Sequence, residues 1–215
     1  MLASKSVAAA APAESAILDV LDRTLLAMDR CSGVPYLMIG EIGSAIWGRD
    51  RGTKDIDLLV RPESLPEVLA AFEAEGFHTF VKFEHWLYKA AMDGIEVDIL
   101  FRASPDIMLD EEMLTRASVE SFRGRSVPIA PPEDLIVMKA VAATEDTARY
   151  WYDALGIVSR APLDWPYLVR RSCQHGARRM LSLLLFATSN DLVVPPEPIQ
   201  ALMSKVGLLE RTPGA

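Results

Sequence analysis

The chain has 215 residues, enough for one large domain or two small ones, and half of them are hydrophobic. That balance excludes a disordered tail, a collagen-like repeat and a disulfide-stapled mini-protein, and apolar runs such as residues 183–187 fall far short of the roughly 20 a membrane helix needs. The 22 Lys and Arg against 30 Asp and Glu leave a net charge of −8, which argues against a protein that coats nucleic acid electrostatically.

In chain order, residues 1–13 are alanine-rich, broken by Pro12, and carry Lys5 as their one positive side chain. They read as a disordered leader, not a signal peptide. Ile17, Leu18, Leu21, Leu25 and Met28 recur at helical spacing and predict an amphipathic helix over Glu14–Arg30. Residues 36–39 form an apolar run stopped by Gly40, a buried strand. Residues 42–47 read as a short helix ended by Gly48, and 55–60 as a second strand. Ser64 and Glu67 form a capping box opening a helix to about Glu75, closed by Gly76. Strands follow at 78–82, 86–92 and 95–101, the last two joined by the hairpin signal Asp93-Gly94.

From about residue 105 the chain is expected to be mainly helical. Pro132, Glu133 and Asp134 suit the positive end of a helix over 132–143. Further helices are expected at 145–157, 164–175, 177–188 and 196–206. The fold class is α/β (α+β): a mixed twisted sheet with packed helices over 14–130, then a helical C-terminal region over 131–208 and a tail at 209–215. Cys31 and Cys173 have no metal-type spacing and suit a reducing cytoplasm. His78, His85 and His175 make no zinc pattern.

The chemistry concentrates in two stretches. Residues i and i+2 of a strand share a face, so Asp55 and Asp57 project together while Ile56 and Leu58 enter the core. Paired carboxylates repel unless a cation sits between them, and a hard divalent ion such as magnesium is the natural partner. Asp98, on the alternating stretch 96–100, becomes a third ligand if that strand lies beside the first. Three carboxylates can hold two metals, the clamp of in-line phosphoryl transfer. Gly40 opens a turn into a helix N-terminus whose N–H groups, with the Ser44 hydroxyl, suit a triphosphate. A lone Asp-x-Asp is usually a solvated strand end; the combination is rarer.

These motifs resemble the nucleotidyltransferase superfamily, with its DNA-polymerase-beta-like fold. Within it the chain is similar to small bacterial abortive-infection and toxin-type members. The likeness runs through Ile39-Gly40, Ala45-Ile46-Trp47-Gly48, Arg51 and Thr53-Lys54-Asp55-Ile56-Asp57. It continues with Glu96-Val97-Asp98 and Pro132-Glu133-Asp134-Leu135 with Lys139, and fades at Trp151 and Asp153, covering about residues 35–157. It implies a magnesium- or manganese-dependent enzyme that moves a nucleoside monophosphate from ATP or another NTP to an acceptor hydroxyl. The acceptor would be RNA or tRNA, a protein, or a small molecule such as an antibiotic. A toxin role would add an antitoxin or other protein partner, in the cytoplasm, with no membrane.

By that resemblance Asp55, Asp57 and Asp98 hold the metals, and Asp98 helps deprotonate the acceptor. Gly40 and Ser44 cradle phosphates. Lys139 is aimed at the triphosphate, or is a surface lysine near a helix end. Asp153 orients Lys139, or lies on a solvated helix face. Arg51 contacts a phosphate, or belongs to a polar loop with Arg49 and Lys54. Arg170, Arg171, Arg178 and Arg179 form a local RNA-phosphate patch or solvated helix ends. Trp86, Tyr88, Trp151 and Tyr152 are core, or one stacks on a base. Two departures stand out. Glu41 replaces a second small residue of the phosphate loop, and Tyr150 replaces an acidic residue. Glu41 keeps open a catalytically degenerate nucleotide-binding regulator, or an antitoxin-like partner module.

Overall fold

A computed structural model describes residues 14–103 and 106–208; the leader at 1–13 and the tail at 209–215 lie outside the described residues. Helix α1 (Glu14–Arg30) forms as its spacing predicts and buries Ile17, Val20, Leu21, Ala27 and Met28. It packs with α3 (Leu65–Ala74) on one face of a seven-stranded sheet. The strands are β1 (Tyr36–Met38), β2 (Ile56–Val60), β3 (His78–Phe83), β4 (Leu87–Met92), β5 (Ile95–Leu100), β6 (Ser118–Phe122) and β7 (Arg125–Ile129). Their order across the sheet is β3-β4-β5-β2-β1-β7-β6. β2 runs parallel to β5 and β1 parallel to β7, while the other neighbours are antiparallel. The sheet is therefore mixed, as expected.

Alternation along the strands sorts their side chains to two faces. Met38, Ile56, Leu58, Val97 and Ile99 meet α1 and α3, where Phe72 is wholly buried. Burying such a side chain contributes roughly 1.5–3 kcal/mol. Leu37, Ile39 and Leu59 meet the opposite layer, led by α5 (Pro132–Ala142) with Leu135, Ile136 and Met138. Asp57 lies two residues before Leu59 on the same strand, so its carboxylate is directed toward the α5 layer. Around α5 pack α6 (Arg149–Val158), α7 (Trp165–His175), α8 (Ala177–Thr188) and α9 (Pro196–Lys205). Two shorter helices, α2 (Gly40–Trp47) and α4 (Glu111–Arg116), complete the fold. Among the described residues no helix is long and apolar enough to cross a membrane.

Three local expectations change. The segment after residue 105 is not mainly helical up to α5. It contains the β6–β7 hairpin, turned at Arg123 (φ 49°) and Gly124 (φ 80°), both left-handed as a two-residue hairpin turn requires. Ser64 does not form its capping box, because residues 62–64 make a 3-10 turn and no side-chain cap bond is present. Helix α6 starts at Arg149 and not at 145: Thr147 Oγ1 accepts from the Thr144 N–H at 2.8 Å and donates to the Ala142 carbonyl at 3.0 Å, holding a turn there.

The arginine patch also reads differently. Arg171 is buried, donating from Nε to Asp134 Oδ1 at 2.6 Å and from Nη1 to Asp110 Oδ2 at 2.7 Å. The Tyr167 hydroxyl donates to Asp134 Oδ2 at 2.5 Å, and Glu133 accepts the Asp164 N–H at 2.6 Å. Glu133 and Asp134 are thus buried anchors joining α5 to α7, beyond their favourable place at a helix N-terminus. Arg170 pairs with Glu112, and Arg179 donates to the Ala143 carbonyl. Internal partners therefore take up three of the four arginines.

Candidate active site

The sheet register assembles the site. Asp57 and Asp98 are direct partners across the parallel β2–β5 pair. Lys89 and Asp98 are direct partners across the antiparallel β4–β5 pair. One row therefore crosses three strands: Lys89, Asp98, Asp57. Asp55, just ahead of β2, joins Asp57 and Asp98 at a cavity of about 260 Å³, of whose lining Lys89 is not a part. Its wall includes Gly40, Glu41, Trp86, Lys139, Arg149 and Tyr150, with Leu100, Leu135 and Met138 as apolar lining.

Gly40 sits at φ +60°, and a Cβ there would lie 1.8 Å from Asp57 Oδ2. The Asp57 carboxylate therefore fills space that only glycine leaves open. Glu41 is tied to the loop before β2. Its Oε2 accepts the Lys54 N–H at 3.0 Å, and Oε1 lies 3.9 Å from Arg149 Nη1.

Lys139 is not a surface lysine. It is 6 % exposed, 3.4 Å from Asp153 Oδ2 and 5.1 Å from the centre of the Tyr150 ring. Asp153 is buried as well and also receives Arg51 Nη2 at 2.5 Å. Arg51 is thus held on Asp153 rather than being a free polar-loop residue. Neither Asp153 nor Arg51 lines the cavity. Ser44 is not brought there either: it is buried in α2, and its hydroxyl donates to the Gly40 carbonyl at 3.0 Å. The Ser44 proton is thus directed to its own helix rather than to the cavity.

Crowded negative charge marks the site. Burial pushes the Asp57 carboxyl up to about 7; Asp98 and Asp55 add to the push and Lys139 opposes it. Asp55 is raised by burial and by the charges of Glu41 and Asp98. Burial lowers Lys139, against the pull of Asp153 and Asp57. Burial also works against the Lys89 ammonium, but bonds to Asp98 and Glu96 hold its pKa above the usual value.

Asp55 and Asp57 offer hard oxygen donors, and burial together with the surrounding negative charges raises both carboxyls. Among the described residues no three acidic, His or Cys side chains gather closely enough to hold an ion unaided. Magnesium is commonly bound by one or two carboxylates, with substrate phosphates and water completing its shell, so this donor pair fits such an ion.

Two further charged residues at the site, Lys89 and Arg149, are not among those the sequence motifs single out. A signal for Lys89 was present. Asp93 (φ 52°) and Gly94 (φ 77°) form a two-residue turn, and counting outward from it pairs 89 with 98. Arg149 had none, since its place depends on how α6 packs.

The sequence model of a family described as "Uncharacterised nucleotidyltransferase" matches residues 48–190. No curated protein matches the chain. Among solved structures, the antibiotic-resistance factor ANT(2'')-Ia is similar with a TM-score of 0.51 at 16 % identity, covering 91 % of this chain and 94 % of its own. The lincosamide antibiotic adenylyltransferase LnuA, solved with lincomycin bound, is similar with a TM-score of 0.46 at 16 % identity, covering 67 % of this chain and 98 % of its own.

Proposed function

The chain belongs to this nucleotidyltransferase family, and from that premise we propose that it moves a nucleoside monophosphate from an NTP to an acceptor hydroxyl with release of pyrophosphate. The observation that carries the reading is the meeting of Asp55, Asp57, Asp98 and Lys139 on one cavity. Asp55 and Asp57 would hold a magnesium or manganese ion, which supplies positive charge to the nucleotide phosphates.

The chain's own groups account for the remaining work. The acceptor oxygen attacks the α-phosphorus, and the bond from that phosphorus to the pyrophosphate oxygen breaks. The hydroxyl proton passes to the Asp98 carboxylate oxygen that Lys89 does not hold. The Lys139 ammonium, oriented by Asp153, faces the charge that builds on the phosphates. Arg149, half exposed beside the cavity, is placed to meet the departing pyrophosphate. Positioning and charge neutralisation carry the reaction, as in phosphoryl transfer generally.

For the acceptor, a small molecule or a protein side chain fits better than RNA. The chain is acidic and most of the arginine cluster is consumed internally. Glu41, the residue behind the non-catalytic reading, has its carboxylate held on the Lys54 N–H beside Arg149, which favours turnover over degeneracy. The test is pyrophosphate release with magnesium or manganese and fractionated cell extract. Release by wild type and its loss in Asp57→Asn are expected. Tight NTP binding without release in any fraction would favour the regulator.

A further inference from the structure

Three carboxylates on one wall need counter-charge. In two-metal phosphoryl transfer one ion sits on the nucleotide phosphates and the second lies between the third carboxylate and the attacking oxygen. Here the third carboxylate already carries a cation that belongs to the chain. Lys89 Nζ lies 2.6 Å from Asp98 Oδ1 and 2.6 Å from Glu96 Oε2, and its side chain is only 13 % exposed. This contact does not depend on a wandering surface side chain. The Asp93-Gly94 turn sets the β4–β5 register, and that register puts Lys89 directly opposite Asp98.

We infer that Lys89 stands in for the second, acceptor-side divalent cation, so that the site works with one ion, held by Asp55 and Asp57. The inference rests on the nucleotidyl-transfer reading above. Two features besides the contact support it. A divalent ion shared by Asp57 and Asp98 would meet the Lys89 ammonium a few ångströms away and be repelled by it. One of the two Asp98 oxygens is also committed to that ammonium, leaving the other for the acceptor hydroxyl. Lys89 is therefore a positioning residue: it holds Asp98 in place without touching substrate. The fixed charge also spares the site the recruitment of a second, acceptor-side ion.

The test counts ions rather than turnover. The full chain is dialysed to equilibrium with Mn²⁺ and a non-hydrolysable NTP analogue bearing a carbon bridge between the α and β phosphates. Bound Mn²⁺ and bound analogue are both measured. Wild type is expected to hold one Mn²⁺ per analogue, and Asp98→Asn still one, because Asp98 is not a ligand. Lys89→Met, which keeps length and loses charge, is expected to hold two, and Lys89→Arg to return to one. Two ions in wild type, with the second lost in Asp98→Asn, would overturn the inference and leave the nucleotidyl-transfer reading standing. A count of one in folded Lys89→Met would overturn it too. If Lys89→Met does not fold, the wild-type and Asp98→Asn counts decide. No ion on wild type would overturn the metal-dependent reading and the inference together.

Discussion

At Gly40 an alanine would push a methyl group into the Asp57 carboxylate, on a backbone at φ +60° that L side chains resist. The expected cost of Gly40→Ala is about 2 kcal/mol of stability, with NTP binding weakened at least tenfold, read by urea unfolding and by titration of the analogue. Unchanged binding would show that the Gly40–Asp57 contact does not position the carboxylate. On the proposed reading, in which the Lys139 charge faces the reacting phosphates, Lys139→Met is expected to lower the rate by about 10²- to 10³-fold at nearly constant KM. Steady-state kinetics separate that from a loss of binding. Asp57 adds a pH dependence. Its proton, held to about pH 7 in the ion-free protein, competes with a divalent cation. Mn²⁺ affinity should therefore rise by up to about tenfold per pH unit until about pH 7 and then level. Stability of the ion-free protein should move the opposite way. The folded pKa lies above the ordinary 3.8, so the contribution of Asp57 to stability is full below about pH 4 and is lost as pH rises through about 7. Urea midpoints at pH 5 and pH 8 check the sign, and Asp57→Asn should flatten both profiles.

Among the elements, the join between α5 and α7 supports the site, because α5 carries Lys139. Arg171→Met would leave the buried Asp134 carboxylate without its cation, a loss expected to cost about 3–5 kcal/mol in urea unfolding. Tyr167→Phe removes one hydrogen bond to the same carboxylate and should cost about 1–3 kcal/mol. A near-zero effect of Arg171→Met would mean that α5 is held by its apolar packing alone. These partners were hard to read from sequence. Arg171 and Asp134 lie far apart in the chain, and no periodicity says which helix faces which. The β6–β7 hairpin was missed for a local reason: Arg123 precedes Gly124 where Asn or Asp would have announced the turn. By contrast α1, α7 with its Asp164 cap, and the Asp93-Gly94 hairpin follow from local rules and appear as expected.

Across the whole molecule, the mixed sheet followed by a helical region was legible because strand alternation and helix caps are local signals. The three aspartates were legible for a related reason: Asp57 and Asp98 lie on strands and Asp55 just ahead of one, where a period of two fixes the face and one parallel pairing fixes the neighbour. What came from the α5–α6 layer was less so. Asp153 and Arg149 reach their places through the packing of α6, Arg51 joins Asp153 from the loop before β2, and the Ser44 hydroxyl bonds within its own helix. The α5–α6 layer thus supplies Lys139 and Arg149 to a cavity to which the sheet supplies Asp57 and Asp98, with Asp55 just ahead of β2 and Glu41 on α2. That division of charge is what a nucleotide with a bound divalent ion would complete. It is tested most directly by incubating the protein with an NTP labelled at the α-phosphate, and in parallel at the γ-phosphate, with Mn²⁺ and fractionated acceptors. Label from the α position is expected to become covalently attached to an acceptor while γ-label leaves in pyrophosphate, with both outcomes lost in Asp55→Asn and Asp57→Asn. Release of γ-label as phosphate, with no α-label on any acceptor, would contradict nucleotidyl transfer.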